Sequence, residues 1–230
     1  MKQGKKYRAA VEKLAGRTNW SLSEAIAFLQ ANKFAKFDET VELSVNLGVE
    51  PKHSDQVVRG TVVLPHGTGR VVKVLVFTKG EKVAEAQAAG ADYVGNDELV
   101  EKIQGGWFDF DIVVATPDMM TTVGKLARLL GPRGLMPSPK NGTVGLNVTE
   151  IVKELKAGKI AYRVDKGANV AARFGKISFP VEKLEENAQA LIRSIVRAKP
   201  QTSKGTYVKS ITISSTMSPG LSIDVAVARI

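Results

Sequence analysis

Two incompatible hydropathy rhythms share this chain. Val41, Leu43, Val45, Leu47 and Val49 are apolar, and Glu42, Ser44, Asn46 and Glu50 lie between and after them. A period of two describes a strand with one buried and one wet face. Leu221, Ile223, Val225 and Val227 repeat the pattern near the C-terminus, and Ile211 and Ile213 begin another such run just before. Residues 71–77 (VVKVLVF) and 112–115 (IVVA) are instead almost continuously apolar, with 91–94 a weaker third run. Strands of that kind are buried on both faces and belong to parallel sheets covered by helices. The two patterns call for two different sheets, one nested inside the other along the chain.

Helical patterns complete each set. Tyr7, Ala10, Val11 and Leu14 fall on one helix face, and Ser21 followed by Glu24 has capping-box spacing before Ile26 and Leu29. Pro180 opens a helix whose stripe is Leu184, Ala188, Leu191 and Ile195, and Pro200 stops it. Between the continuous strands, 81–89 and 97–104 read as helices. The outer segments therefore predict an antiparallel sheet with helices on one side. The inner segment predicts a small parallel sheet with helices on both sides, a three-layer α/β unit.

Charge divides the chain in the same way. Residues 68–159 hold 12 basic and 11 acidic residues, net +1; residues 1–67 and 160–230 hold 21 basic and 12 acidic, net +9. The whole chain of 230 residues is +10. The simplest organisation is a basic domain of 1–67 plus 160–230 with a near-neutral domain, 68–159, inserted in it. Glycine-containing crossings near 66–69 and 157–160 supply hinges, with His66, Gly67, Gly69 and Gly158 as hinge residues. An excess of cations on one domain points to a polyanionic partner.

Several function classes drop out. With no cysteine there is no disulfide, thiolate metal site or cysteine nucleophile. His53 and His66 are the only histidines, too few for a His-rich metal site, and neither has a Ser and Asp set beside it for a hydrolytic triad. No apolar run approaches a membrane span, and the start, MKQGKKYRAA, lacks a signal-peptide core, so a soluble cytoplasmic protein is expected. Gly67-Thr68-Gly69 resembles part of a phosphate loop, but it precedes the strand at 71–77 instead of following a strand and opening a helix. Asp109 and Asp111 read as a solvated strand entrance in preference to a catalytic carboxylate pair. A nucleotide-dependent enzyme and an unspecific basic coat for nucleic acid are the competing readings.

The string from Met120 through Gly131-Pro132-Arg133-Gly134-Leu135-Met136-Pro137-Ser138-Pro139-Lys140 resembles the signature of the ribosomal protein L-one family. So do Lys36-Phe37-Asp38-Glu39-Thr40-Val41-Glu42, Arg163-Val164-Asp165-Lys166 with Gly175-Lys176, and Ser215-Thr216-Met217, all in the family's order. Ser218 departs from the glycine that many members carry after the methionine. The resemblance implies a split α+β domain formed by both termini, with an inserted Rossmann-like α/β domain. It implies a non-enzymatic constituent of the large (50S) ribosomal subunit, monomeric when free and without cofactor or metal. Its implied partners are large-subunit rRNA at the mobile exit-side stalk, exit-site tRNA whose release it assists, and its own operon mRNA, which it represses.

The resemblance further implies rRNA contacts at Lys36, Phe37, Glu39, Thr40, Arg163, Asp165, Lys166, Ser210, Thr216, Met217 and Ser218. Folded RNA is read mainly through shape, phosphates and 2′-hydroxyls. That chemistry suits the hydroxyl of Thr216, the apolar surface of Met217, a stacking ring at Phe37 and cations at Lys36, Arg163 and Lys166, with Asp165 as an acceptor. Gly131, Pro132, Gly134, Pro137, Pro139 and Gly142 mark a surface loop, on which Arg133 and Lys140 are candidates for contact with tRNA or rRNA.

Overall fold

The computed structural model describes residues 4–228; of the amino-terminal stretch read above, Met1–Gln3 lie outside the described residues. In chain order the elements are α1 (Lys5–Leu14), α2 (Leu22–Ala31), β1 (Thr40–Leu47), β2 (Arg59–Val63), β3 (Val74–Phe77), α3 (Lys82–Ala88), β4 (Tyr93–Gly95), α4 (Asp97–Gln104), β5 (Ile112–Ala115), α5 (Met120–Gly124), α6 (Ala127–Leu130), α7 (Val148–Ala157), β6 (Lys159–Arg163), β7 (Asn169–Lys176), α8 (Val181–Arg197), β8 (Val208–Ser215) and β9 (Leu221–Ile223). They fall into two compact units. Unit 1 contains the chain up to Gly69 and from Ile160 onward; unit 2 is Arg70–Lys159.

Unit 1 is built on a four-stranded sheet in the order β7-β1-β8-β9, antiparallel throughout, with β2 and β6 forming a separate two-stranded sheet. Alternation decides which way the sheet faces. Val41, Leu43, Val45 and Leu47 of β1 and Ile211 and Ile213 of β8 are buried, and so are the stripes of α2 (Leu22, Ala25, Ile26, Leu29) and α8 (Leu184, Ala188, Leu191, Ile195) that form one core with them. Each large aliphatic side chain so buried contributes roughly 1.5–3 kcal/mol relative to an exposed one. Ser21 caps α2 by accepting the Glu24 N–H at 3.3 Å. The Glu24 carboxylate also pairs with Arg17.

The C-terminal alternation breaks sooner than its hydropathy predicts. β9 ends at Ile223, and residues Val225–Ala228 form a 3₁₀ turn. Asp224 causes the break: its carboxylate accepts the Ala226 N–H at 2.9 Å and its carbonyl the Val227 N–H at 3.2 Å. A local Asx turn of this kind competes with strand pairing.

Unit 2 has a parallel sheet in the order β4-β3-β5. Its central strand sorts its side chains between two cores. Leu75 and Phe77 pack with Leu99, Ile103, Val123, Leu126 and Leu130, whereas Val74 and Val76 pack with Ala86, Val148, Val152 and Leu155. This double burial is why the segment reads as a continuous apolar run. The run is longer than the strand: Val71 is 89% exposed, and residues 71–73 precede β3. The Lys73 carbonyl accepts the N–H groups of Asp111 and Ile112, and the paired register with β5 begins at Val74.

The boundary between the units falls after Gly69, two residues later than the glycine break suggests. Gly69 has φ +71°, and a Cβ there would lie 2.9 Å from Lys176 and Phe179 of unit 1. Side-chain-free backbone is what lets this residue lie against unit 1.

Candidate nucleic-acid interface

Each strand of the unit 1 sheet turns its polar positions away from the helices. Register sets Glu42 between Arg173 and Ser214, Ser44 between Ala171 and Thr212, and Asn46 between Asn169 and Ser210. Thr212 is followed across the sheet by Ser222. Cross-strand partners share a face, so this side is a field of small hydroxyl and amide groups with one arginine opposite one glutamate, Arg173 and Glu42. Unit 1 also carries the +9 charge computed above from its sequence. Of these residues, sequence reasoning singled out only Ser210. The available signal was the polar half of the alternation in β1 and β8.

At one end of the sheet two distant segments are stapled together. Glu39, 2% exposed, receives two hydrogen bonds on Oε2, from the Ser215 hydroxyl and from the Met217 N–H. The Thr216 hydroxyl accepts the Thr40 N–H at 3.1 Å and donates to the Thr40 carbonyl at 3.4 Å. Lys176 reaches Thr40 Oγ1 at 2.9 Å and the Asp38 carbonyl at 3.2 Å, and the Asp38 carboxylate accepts from the Ser178 N–H and hydroxyl. On this framework two large apolar side chains face solvent: Phe37 is 56% and Met217 47% exposed. Lys36 beside them is exposed as well.

Ser218 closes its own turn. Its N–H donates to the Ser215 carbonyl at 3.2 Å, and its hydroxyl accepts the Ser215 N–H at 2.8 Å and donates to the Pro219 carbonyl at 3.0 Å. The Ser218 hydroxyl is thus spent within the loop.

Arg163, Asp165, Lys166 and Ser210 belong to the other end. Asn46, opposite Asn169 and Ser210, is six residues along β1 from Thr40, about 20 Å at strand rise. Asp165 is not ion-paired with Arg163 or Lys166: its Oδ1 accepts the N–H groups of Gly167 at 2.8 Å and Asn169 at 2.7 Å. It shapes the turn that carries Ala168 at φ +62°. Asn169 in turn accepts from Asn46 at 2.7 Å, joining this loop to the polar face.

The residues of the first linker are held within unit 1. Buried Asn187 of α8 accepts the His66 N–H at 3.0 Å and donates to the carbonyls of Gly67 at 2.9 Å and Phe174 at 2.8 Å. The His66 ring meets Glu186 at 2.5 Å. Gly158, at φ +104°, caps α7. In unit 2, Asp109 pairs with Lys73, whose hydrogen bond holds that carboxyl below the usual carboxylate range, and Asp111 pairs with Arg70. Lys140 is exposed on the 3₁₀ turn Pro139–Asn141, capped by Ser138, and Arg133 lies over the ring of Phe108. Among the described residues no group of three or more acidic, His or Cys side chains is placed to hold a metal, and no helix is long and apolar enough to cross a membrane.

Residues 29–219 match the family model of the Ribosomal protein L1p/L10e family. The matched span takes in every element of the polar sheet except β9, and both stapled segments. The chain belongs to this family. It is therefore a non-enzymatic structural constituent of the large ribosomal subunit that binds rRNA. Membership removes the nucleotide-dependent enzyme, and the mixed α/β architecture is that of the family.

Proposed function

We propose that the polar sheet of unit 1, with the Phe37–Met217 platform at its end, is the surface that holds a folded segment of large-subunit rRNA. The observation that carries this reading is the staple between Glu39-Thr40 and Thr216-Met217, which joins segments 176 residues apart and leaves Phe37 and Met217 exposed. Buried apolar groups need no such exposed mounting; a base or ribose face does. Small hydroxyls at short spacing admit close approach of the sugar–phosphate backbone and match 2′-hydroxyls in both donor and acceptor roles. Arg163, Lys166 and Ser210, at the far end of the sheet, extend the contact along the RNA, and Asp165 shapes the turn that carries Lys166.

The rest of the reading builds on that surface. The bound rRNA is the exit-side stalk, where the protein assists release of deacylated tRNA, with Arg133 and Lys140 of unit 2 facing tRNA or rRNA. A messenger that mimics the same rRNA fold occupies the same surface, which makes the protein a repressor of its own operon. Gly69 and Gly158 form the hinges, with His66 and Gly67 as the fixed side of the first one. Asn187 supports a first hinge whose freedom starts only after the pinned residues His66 and Gly67. In the cytoplasm the free protein is monomeric.

The test is binding of the full chain to a folded rRNA stalk fragment and to an unrelated hairpin of equal length, in raised salt. The expected result is a strong preference for the fragment that persists as phosphate attraction is screened. Equal affinities that fall together with salt would leave only an unspecific coat.

A further inference from the structure

The near-neutral charge of unit 2 conceals an uneven distribution along its sequence. Residues 119–149 hold four basic side chains, Lys125, Arg128, Arg133 and Lys140, and no acidic one, whereas the remainder of Arg70–Lys159 holds eight basic and eleven acidic. A stretch of net +4 therefore sits within a body that is otherwise −3. Beside one of its cations lies an unusual amount of aromatic surface. The Arg133 guanidinium carbon is 3.6 Å from the centroid of Phe108, over the ring. Phe108 neighbours Phe110 at 6.2 Å, Phe110 neighbours Trp107 at 5.4 Å, and Trp107 meets Tyr93 edge-on at 4.7 Å.

Phe110 is buried, and Phe108, Trp107 and Tyr93 are half-buried, so the row is anchored in the core of the unit and opens outward. Arg133 lies exposed at its outer end. The guanidinium lies over the Phe108 ring on a residue that is exposed as a whole. The carboxylates beside Phe108 in sequence are ion-paired, Asp109 with Lys73 and Asp111 with Arg70.

We propose that Arg133, held over Phe108, is a stacking platform for an unpaired base of an RNA strand, whose phosphates are drawn by the surrounding +4 stretch. A planar cation fixed on an aromatic ring has lost the side-chain freedom that stacking would otherwise cost. Guanidinium planes and aromatic rings are what splayed-out RNA bases stack upon. A protein partner would need acidic side chains to match the same stretch and would gain nothing from the flat pair of guanidinium and ring. This inference rests on the reading that the loop of Arg133 faces RNA, and specifies the chemistry of that contact.

The experiment titrates the full chain against a single-stranded RNA heptamer with one central 2-aminopurine, whose fluorescence is quenched on stacking. The native chain is expected to quench it, and the same heptamer annealed into a duplex much less. Arg133→Lys keeps the charge and loses the plane. It is expected to weaken the quenching complex roughly tenfold, close to the loss in Arg133→Ala. Phe108→Leu, which removes the ring beneath, should follow them. Native-like binding by Arg133→Lys with loss in Arg133→Ala would reduce the contact to a point charge and overturn the proposal. No change in Arg133→Lys, Arg133→Ala or Lys140→Ala would overturn it together with the reading that the loop faces RNA. The folded rRNA fragment reports separately on unit 1, through Thr216 and Met217.

Discussion

The side chain of Glu39 accepts the backbone N–H of Met217 at 3.1 Å, from a position 2% exposed to solvent. A buried acceptor thus fixes the main chain of the loop whose methionine is proposed to meet RNA. Glu39→Ala leaves that N–H and the Ser215 hydroxyl without their partner. Buried groups so orphaned cost about 1–3 kcal/mol each. The expected outcome is a loss of roughly 2–4 kcal/mol in denaturant unfolding and a clear loss of affinity for the rRNA fragment. Glu39→Gln keeps an acceptor oxygen and should lose less of both. Wild-type stability in Glu39→Ala would show that the loop is held by other means.

Thr216 and Met217 sit side by side and should fail differently. The Thr216 hydroxyl is bonded in both directions to the Thr40 backbone. Thr216→Ala is therefore expected to lower stability by about 1 kcal/mol as well as weakening RNA binding. Met217 is half-exposed, and Met217→Ala should change stability by less than about 0.5 kcal/mol while weakening the RNA complex by roughly 1–3 kcal/mol. Chemical melts and RNA titrations of the two variants separate the roles. A Met217→Ala protein that melts early and binds normally would place that side chain in the core.

What the sequence disclosed depended on whether a signal was local. The strand of Val41–Leu47 and the helix after Pro180 announce themselves because burial repeats with a short period. The pairing of Glu39 with Ser215 and Met217 is invisible to any such rule, since it joins residues 176 and 178 apart through one carboxyl oxygen. Resemblance flagged both segments without saying that one mounts the other. Hydropathy misled at Val71, apolar yet exposed, and at Val225, where the Asx turn at Asp224 overrides the alternation. The resemblance names Asp165 as an acceptor toward RNA, but its two bonds to the Gly167 and Asn169 N–H groups have no sequence signal. The polar sheet face was legible in β1 and β8, because the residues between buried positions must point the other way.

Asn187 is the buried polar side chain on which the first linker depends. Its three bonds, to the His66 N–H and to the carbonyls of Gly67 and Phe174, leave little of its capacity unused. Asn187→Ala removes all three at a site with no solvent access, and a loss on the order of 2–4 kcal/mol is expected in the unfolding of unit 1. Amide exchange should show faster opening at His66. Asn187→Asp keeps the acceptor for His66 but turns a second carboxylate oxygen toward the Gly67 and Phe174 carbonyls at a site without solvent, and should cost at least as much as Asn187→Ala at neutral pH. Slow exchange at His66 in Asn187→Ala would assign the pinning to the His66–Glu186 contact instead.

Tyr207 gives unit 1 an alkaline limit. Burial, reinforced by the nearby Tyr162, pushes its phenol up to about 12. Its hydroxyl donates to the Ile195 carbonyl at 3.0 Å. An unfolded tyrosine releases its proton near pH 10. Between the two values the unfolded chain binds fewer protons than the folded one, so stability falls as pH rises from about 10 through 12. Two pH units at about 1.4 kcal/mol each give a loss on the order of 2–3 kcal/mol from this residue. Below pH 10 the contribution is fully present. Tyr207→Phe should cost about 1 kcal/mol at neutral pH through the lost hydrogen bond, and should flatten the alkaline decline in denaturant melts recorded between pH 9 and 12. A decline as steep in Tyr207→Phe as in the native chain would trace it to the lysines or to Tyr162, whose phenol burial also raises.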